Sequence, residues 1–521
     1  MHWDVPIQLN AHERKVAKRL HRIGKFYVFL REMRHELFDA SFEAELAKAY
    51  KKSRGTAPLP PALLAMVTLL QAYDQVGDAN AVVTASMDKR WQLVLGTLGE
   101  EEAPFSQGAL VAFRARLIAQ ELDRKLVSRT VALAKASGTF GWQHLRAALD
   151  SSPLIGAGRV EDTWNLLGRA MQQLVVLASR VTELSPGVIR QKAGVTLLGQ
   201  SSVKAALDCD WDDPQARQAG LQRLAEEAEA LVRWVQQYSR AAAQAPPLRG
   251  ALEDLAQIMT QDLEPAPSGG GPRLRQGTAR DRVASLGDRD MRHGRKSKAH
   301  AFTGYKRHVL SLLGSTLVVD AVAQPANQAE HDALETLWPA LEPHGPVVAL
   351  AIDRAYLSSP LLSSLTAQGI AILAKPWPLR NQGRFTKDQF QIKLEDHEVT
   401  CPAGVTVRLG RLERRAQFPA DTCQRCALKA DCTTSARGRT LSIHPQEALL
   451  IELRALRQTA KGRQVLRQRT EVEHTLARID QLQGKRARYK GTRKNTLDLR
   501  RTAAVHNLQH IHWAQTLERA A

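Results

Sequence analysis

The feature that most constrains this chain is a run of six apolar residues, VVALAI at 347–352, which ends in Asp353. A run of this kind is typical of a strand buried on both faces, and such a strand requires helices on both sides of its sheet. Reactive groups in open α/β sheets lie outside the carboxyl ends of the strands, so Asp353 is a candidate for chemistry. The alternative is an aspartate that ends the strand and caps a turn.

The segments around this run predict the rest of a sheet. Two strands are expected near residues 305–312 and 316–323, and a helix then leads into the buried strand. A further helix and a further strand are expected at 360–367 and 370–375. A hairpin, a helix and a buried strand in this order predict a mixed sheet with a crossover connection.

A second candidate carboxylate, Asp150, ends the segment LRAALD at residues 145–150. This segment is compatible with a short strand that ends in an acid. It is equally compatible with the end of a helix, in which case Asp150 caps the turn that follows. The pattern leaves both interpretations open.

The first 137 residues carry helical patterns with basic residues on the polar side. Pro60 and Pro61 precede one apolar helix, and Ser106 is a candidate cap for another, which holds Leu110 and Phe113 inside. The basic residues expected on the outside of that second helix are Arg114, Arg116, Arg124 and Lys125. Short helices with basic faces suit a duplex-binding domain, and they equally suit an all-α scaffold with a solvated face.

The charge of the chain points to an anionic partner. The 521 residues include 73 Lys or Arg and 53 Asp or Glu, for a formal net charge of +20 at pH 7. Nucleic acid and membrane surfaces are the usual partners of such proteins, but no apolar run approaches the roughly 18 residues of a spanning helix. The first residues also lack the apolar segment of a secretory signal. We therefore expect a cytoplasmic protein that acts on nucleic acid.

Residues 156–289 read as a helical insertion. Leu221, Leu224 and Leu231 mark one apolar helical face within it. The stretch PAPSGGGP at 265–272 is typical of a flexible linker. The composition changes after this stretch, where a basic run leads into the predicted hairpin.

Four cysteines within residues 379–440 form the most specific local pattern: Cys401, Cys423, Cys426 and Cys432. Four thiolates, two of them in a CxxC pair, suit a tetrahedral structural zinc site. An iron–sulfur cluster and unliganded cysteines are the alternatives. A disulfide scaffold is disfavoured in the cytosol. The fifth cysteine, Cys209, is expected to be a plain core or surface residue.

The basic block at 461–501 holds a third candidate carboxylate. It contains thirteen Lys or Arg residues and four acids. Arg469 and Glu473 stand one turn apart on a predicted helix. A glutamate in such surroundings is either a salt-bridged surface residue or a metal ligand.

With Glu473 included, the acids Asp150, Asp353 and Glu473 occur in an order that resembles the DDE transposases of bacterial insertion sequences. In that family the second acid begins a D-x-x-Y motif, matched by DRAY. The third acid belongs to the pattern Y-x2-R-x3-E-x6-K, matched by Arg469 and Glu473. The segments LDSSPLIGAG, HGRKS, CPAG with its CxxC, and RARYKGTRKN are also similar to one branch of the family, so the resemblance covers most of the chain.

Two positions depart from the family pattern. Leu466 stands where the motif has its tyrosine, and Asp480 stands where it has a lysine that contacts phosphate. Lys485, Arg486 and Arg488 are the candidates to supply that contact instead.

The resemblance implies a transposase that binds terminal inverted repeats, cleaves the transposon ends and joins the freed 3′-OH to target DNA. It assigns Asp150, Asp353 and Glu473 to two Mg²⁺ ions, which Mn²⁺ can replace, and such ions activate the nucleophile and stabilise the leaving oxygen. It also implies a homodimer on double-stranded DNA, because two ends must be paired. The residues expected to contact DNA are Arg295, Lys296, Lys298, Arg469, Lys485, Arg486, Arg488 and Lys490.

The expected fold class is α/β, with an RNase H-like mixed sheet flanked by helices. The expected divisions are an N-terminal helical DNA-binding domain at 1–137, core segments at 138–155, 290–378 and 441–521, a helical insertion at 156–289 and a cysteine-rich, zinc-binding insertion at 379–440. Two other functions stay open at this point. One is a catalytically decayed or domesticated sequence-specific DNA-binding protein, and the other is a nuclease that cuts DNA without joining it.

Overall fold

A six-stranded mixed sheet lies at the centre of the computed structural model, which describes residues 2–50, 58–238, 245–266, 271–297, 299–410 and 414–520. In chain order the strands are β1 (Leu145–Ile155), β2 (Leu263–Pro265), β3 (Pro272–Leu274), β4 (Arg292–Arg295), β5 (Ala301–Leu312), β6 (Val318–Pro325), β7 (Val347–Ile352), β8 (Ala371–Ala374), β9 (Gln391–Lys393), β10 (Glu398–Thr400), β11 (Thr406–Arg408), β12 (Arg415–Gln417) and β13 (Thr440–Ser442).

The helices before the helical insertion are α1 (Ala11–Arg19), α2 (Lys25–Leu37), α3 (Ala40–Ala47), α4 (Pro61–Asp74), α5 (Asp78–Met87), α6 (Lys89–Leu95), α7 (Gln107–Ala119) and α8 (Leu122–Ala136). Those of the insertion are α9 (Thr163–Thr182), α10 (Pro186–Lys192), α11 (Val203–Leu207), α12 (Pro214–Tyr238) and α13 (Pro246–Asp262). The remaining helices are α14 (Asp332–Leu337), α15 (Leu361–Ala367), α16 (Ala420–Gln424), α17 (Lys429–Cys432), α18 (Glu447–Gln458), α19 (Ala460–Arg467), α20 (Thr470–Gln483) and α21 (Thr492–Ala520).

The central sheet has the order β5, β1, β7, β8, and both β4 and β6 pair with β5 on the side away from β1. β5 runs antiparallel to β1 and β6, whereas β7 and β8 continue parallel to β1. Helices cover both faces: α14, α15 and α18 pack on one, and α8, α20 and α21 pack on the other. This arrangement confirms the predicted α/β class with a mixed, helix-flanked sheet and an N-terminal helical region.

The segment that ends in Asp150 is a strand. β1 lies between two neighbours, with Asp150 opposite Val309 of β5 and Leu149 opposite Ile352 of β7. Pairing on both edges decides between the two interpretations in favour of the strand. Because β1 and β7 are parallel and Leu149 lies opposite Ile352, Asp150 and Asp353 lie side by side where β7 ends, whereas β1 continues beyond the predicted end of the strand to Ile155.

The helical insertion has its own hydrophobic core, formed by α9, α12 and α13. The linker predicted at 265–272 differs from the structure at its ends, because β2 and β3 pair as an antiparallel hairpin. Residues 267–270 of that stretch lie outside the described residues. The hairpin anchors the end of the insertion, since backbone hydrogen bonds hold both of its arms.

The N-terminal helices share their core with the C-terminal helix α21. Leu70 of α4 and Leu126 of α8 belong to the same buried cluster as Leu497, Val505 and Leu508 of α21. The N-terminal helical region therefore packs directly against α21 through a continuous apolar contact.

Two arginines predicted to face outward are engaged in internal ion pairs instead. Arg114 is buried and pairs with Asp78. Arg124 pairs with the fully buried Asp320 at 2.9 Å. The periodicity of a single helix does not reveal a carboxylate that arrives from another element, and such a carboxylate makes burial of the guanidinium tolerable.

We expect Asp123→Ala to lower the free energy of unfolding by about 3 to 5 kcal/mol, because it removes the partner of a buried charge. Asp123 of α8 accepts hydrogen bonds from Arg493 at 2.8 Å and from Arg500 at 3.1 Å, both on α21. Urea denaturation followed by circular dichroism measures the change. The exposed Asp212→Ala is the matched control. An equal midpoint for both variants would contradict this account of the junction.

Within the described part of the chain, no helix has the length and the apolar composition needed to cross a membrane.

Candidate active site

The three acids predicted from sequence line one cleft at the end of the central sheet. Asp150 lies in β1, Asp353 follows β7, and Glu473 lies in the first turn of α20, which packs across β1 and β5. The cleft has a volume of about 450 Å³. The residues are 203 and 120 positions apart in the chain, and the fold brings them together.

Arg469 joins two of these acids. Its guanidinium donates to Asp150 Oδ2 at 2.5 Å and to Glu473 Oε1 at 2.5 Å. Arg469 precedes the first residue of α20, so the same helix start supplies both the arginine and the glutamate. The salt bridge that was one interpretation of Glu473 is present, and it lies inside the cleft.

Burial raises the pKa of Asp150 to about 6. Arg469 and the backbone N–H of Ser151 act in the opposite direction, while the negative charges of Asp353 and Glu473 raise the pKa further. Carboxylates that destabilise one another's charge in this way lie close together, and a cation among them relieves the repulsion.

Asp353 begins a short 3-10 turn, Arg354–Ser358, and its carboxylate makes no hydrogen bond or ion pair with another described residue. Tyr356 of the same turn is fully buried, and its hydroxyl lies 2.7 Å from Nδ1 of His308 in β5. Burial holds the pKa of Tyr356 well above its usual range and lowers that of His308 to about 3. The tyrosine of the DRAY motif thus anchors the turn to the sheet as a neutral hydrogen-bonding group.

The opposite wall of the cleft holds charged residues that the sequence patterns did not single out as site residues. Lys306 of β5 and Glu330 form an ion pair of 3.1 Å, and Glu330 also accepts a hydrogen bond of 3.1 Å from the hydroxyl of Ser151. Lys306 is followed by Arg307 and His308 in the predicted strand, so no pattern in that stretch marks it as a site residue. Its partner Glu330 is 24 positions away and carries no signal either.

Asp480 also lines the cleft, on the last turns of α20. It pairs at 2.5 Å with Arg307, whose side chain is fully buried, and it accepts a hydrogen bond of 3.2 Å from Ser152. The residue at the position of the family's lysine is therefore an acid, and buried Arg307 is its counter-ion.

The basic residues predicted to contact DNA separate into two groups. Arg295 and Lys296 are exposed and line the cleft, and Arg469 lies between the acids. Lys298 lies outside the described residues. The others follow α20 and do not line the cleft, among the residues that the structure describes: Lys485, Arg486, Arg488 and Lys490.

The four cysteines of the predicted metal site line one pocket. The pocket belongs to the segment that follows β8, where β9 to β13 form two small sheets around a separate apolar core. Its cysteines are Cys401, Cys423, Cys426 and Cys432. Burial raises the pKa of Cys432, and the other three thiols act in the same direction. The predicted grouping is therefore present, whereas Cys209 lies far away in the insertion.

The donor chemistry of both sites fits the metals considered from sequence. Carboxylate oxygens are the ligands that Mg²⁺ prefers, and thiolates suit zinc. In the described residues, however, no group of three or more His, Cys, Asp or Glu side chains stands in an arrangement that would hold an ion. At the cleft, the guanidinium of Arg469 forms ion pairs with both Asp150 and Glu473 in this conformation.

Comparison with known proteins finds two protein families in the chain. Residues 400–512 match a family described as Transposase DDE domain. Residues 14–116 match a family described as Transposase domain (DUF772). The first match includes Glu473 and the four clustered cysteines, while Asp150 and Asp353 lie between the two matches. Neither the curated proteins nor the solved structures contain a match to this chain.

Proposed function

We propose that this chain is a DDE-type transposase of the insertion-sequence type, as its matches to two transposase domains indicate, and that it binds transposon ends, cleaves them and joins the 3′-OH to target DNA. The observation that carries this proposal is the convergence of Asp150, Asp353 and Glu473 in one cleft. Carboxylate oxygens from three separate elements in one cleft suit the divalent ions that promote hydrolytic phosphoryl transfer.

In this mechanism Asp150, Asp353 and Glu473 would hold the divalent Mg²⁺ ions. When bound, such ions supply an activated oxygen nucleophile and stabilise the leaving 3′ oxygen. The protein contributes fixed geometry, because Asp150 and Asp353 stand on paired strands and the turn after Asp353 is anchored through Tyr356 and His308. Arg469 contacts both Asp150 and Glu473 and offsets part of their negative charge, which helps three acids share one cleft before DNA enters.

We assign recognition of the terminal repeats to the N-terminal helical domain, residues 1–137. Its basic residues on the outer surface support this assignment: Lys15, Lys18, Arg19, Arg22 and Lys25 are exposed.

We further propose that the protein acts as a homodimer on paired ends, since transposition requires two ends at once, and that it works on the DNA of the cytoplasm. The core segments 138–155, 290–378 and 441–521 then carry the chemistry, and the segments 156–289 and 379–440 are insertions.

The proposal is tested with labelled DNA that carries the ends flanking the gene, incubated with the protein and Mg²⁺ or Mn²⁺. We expect nicks at the repeat boundary that leave a 3′-OH, followed by products joined to a target duplex. Nicks without joined products would favour a nuclease. Specific binding without nicks, on intact ends, would favour a DNA-binding protein that has lost the reaction.

We also propose that the four clustered cysteines hold a structural zinc ion. Protein purified without chelators is then expected to contain about one zinc ion per chain, because four thiolates satisfy the tetrahedral coordination of one ion. Cys423→Ser with Cys426→Ser should remove most of this zinc, and Cys209→Ser should leave it unchanged. Mass spectrometry of the metal content measures both. Iron with visible absorption would identify a cluster instead, and a metal-free wild type would refute the site.

A further inference from the structure

The cleft contains a cation that is placed to take over the missing lysine contact, and this inference rests on the proposed function. The family pattern has a phosphate-binding lysine at the position of Asp480. Asp480 itself cannot attract phosphate, because it is an acid held by the buried Arg307 and by Ser152. A cation that neutralises the DNA backbone at the reaction centre must therefore come from another element.

Lys306 occupies such a place on the neighbouring strand. It lies in β5 opposite Pro153 of β1, three residues beyond Asp150, and it lines the cleft together with all three acids. Its side chain is 15% exposed, so its ammonium group reaches the cleft from a largely buried stem.

The hydrogen bonds of Lys306 leave room for a ligand. Its Nζ lies 3.1 Å from Glu330 and 3.2 Å from the carbonyl oxygen of Gln328. A lysine ammonium has three donors, so one of them is available to a phosphate oxygen. Glu330 is itself held by the hydroxyl of Ser151, next to Asp150. The ammonium group is thus oriented through a chain of contacts that ends beside a proposed metal ligand.

The other cations near the acids are less suited to this contact. Arg469 is engaged by Asp150 and Glu473. Arg295 and Lys296 are exposed at the end of β4 and after it, so they suit phosphates further along the duplex.

The residues suggested from sequence as substitutes lie elsewhere. Arg486 and Lys485 do not line the cleft, and the Arg488 guanidinium lies 3.4 Å from the carbonyl oxygen of Val76 in the N-terminal region.

We propose that Lys306, oriented by Glu330, binds the scissile phosphate in place of the lysine that the family carries on its glutamate helix. In this arrangement the phosphate-binding cation lies on a strand of the sheet and not on the glutamate helix. Asp480 lines the wall of the cleft, and Arg307 compensates its charge.

The first test compares Lys306→Gln with Lys306→Arg and with the control Arg233→Gln, which removes an exposed cation of α12 outside the cleft. With DNA ends at saturation, Lys306→Gln should cleave about 10² to 10³ times more slowly, the loss typical of one electrostatic donor at a reaction centre. Lys306→Arg should recover most of that loss. Arg233→Gln should keep the wild-type rate at saturation. Matching thermal denaturation curves establish that the variants are folded.

The second test needs no cleavage. End DNA with a neutral methylphosphonate at the scissile position is bound in EDTA, and its affinity is compared with that of unmodified DNA. Wild type should lose about tenfold or more, as expected for a hydrogen bond between charged groups. Lys306→Gln should bind both DNAs equally, and Arg233→Gln should show the wild-type difference.

The outcomes separate this inference from the proposed function. An active wild type with a fully active Lys306→Gln, or with an unchanged methylphosphonate effect, overturns the role of Lys306 alone. A folded wild type that neither binds nor cuts the ends overturns the proposed function and this inference with it.

Discussion

Asp353→Asn is expected to reduce the rate of end cleavage by at least about 10³-fold while the protein stays folded and bound to DNA. Under the proposed mechanism Asp353 would be a metal ligand, and a bound divalent ion contributes several kcal/mol to stabilising the transition state, where each 1.36 kcal/mol changes the rate tenfold. The substitution breaks no other contact of the protein, because the Asp353 carboxylate has no hydrogen bond or ion pair with another described residue. Removing its charge therefore leaves no cation unpaired among those residues. The rate is measured in a single turnover with Mg²⁺ and end DNA in excess.

Asp150→Asn and Glu473→Gln should also abolish cleavage, but each of them releases one arm of Arg469. Asp353→Asn is therefore the decisive variant. Its matched control is Asp396→Asn, an exposed acid in the cysteine-rich segment, which should cut at the wild-type rate. Near-normal cleavage by Asp353→Asn would remove the three-carboxylate mechanism. Loss of cleavage in both variants would indicate a general defect.

Affinity for end DNA should fall by about 10³ to 10⁵ between 50 and 200 mM salt. A protein that neutralises roughly 6 to 10 phosphates releases as many counterions, and salt opposes that release. The net charge of +20 provides the required cations. Fluorescence anisotropy over a salt series gives the slope of log affinity against log salt concentration.

Charge-removing variants then locate the contacts. Replacing Lys485, Arg486 and Lys490 together by Gln should make that slope shallower by about one per lost contact, with little change in preference for the ends. Replacing Lys15, Lys18 and Arg19 of α1 should reduce the preference for end DNA over random DNA. A salt response that is flat in the wild type would contradict binding through the phosphate backbone.

The basic residues in the cleft have a different expected effect from these surface cations. Lys306 is largely buried, and its partner Glu330 fixes its position. Its removal should therefore change the rate at saturating DNA more than it changes the salt slope. The exposed residues after α20 should show the reverse, because screening by salt acts mainly on exposed charges.

The sequence alone determined the features that depend on short stretches of chain. The apolar run at 347–352 predicted a buried strand, and β7 is that strand, because a strand covered on both faces needs apolar residues at every position. The carboxylate after it, the DRAY motif and the paired Arg469 and Glu473 were visible in the same way. The cysteine spacing likewise predicted four thiols that share one pocket.

Only the tertiary structure decided which distant charges meet. The pattern at 145–150 fitted a strand or a helix equally, and hydrogen bonds from β5 and β7 made it a strand. Asp480, where a lysine was expected, proved to pair with buried Arg307, and Lys306 proved to lie in the cleft with the acids. Periodicity reports which side of one element faces the core. The sign and the partner of a buried charge depend on whatever element packs against it, and that element lies far away in the chain.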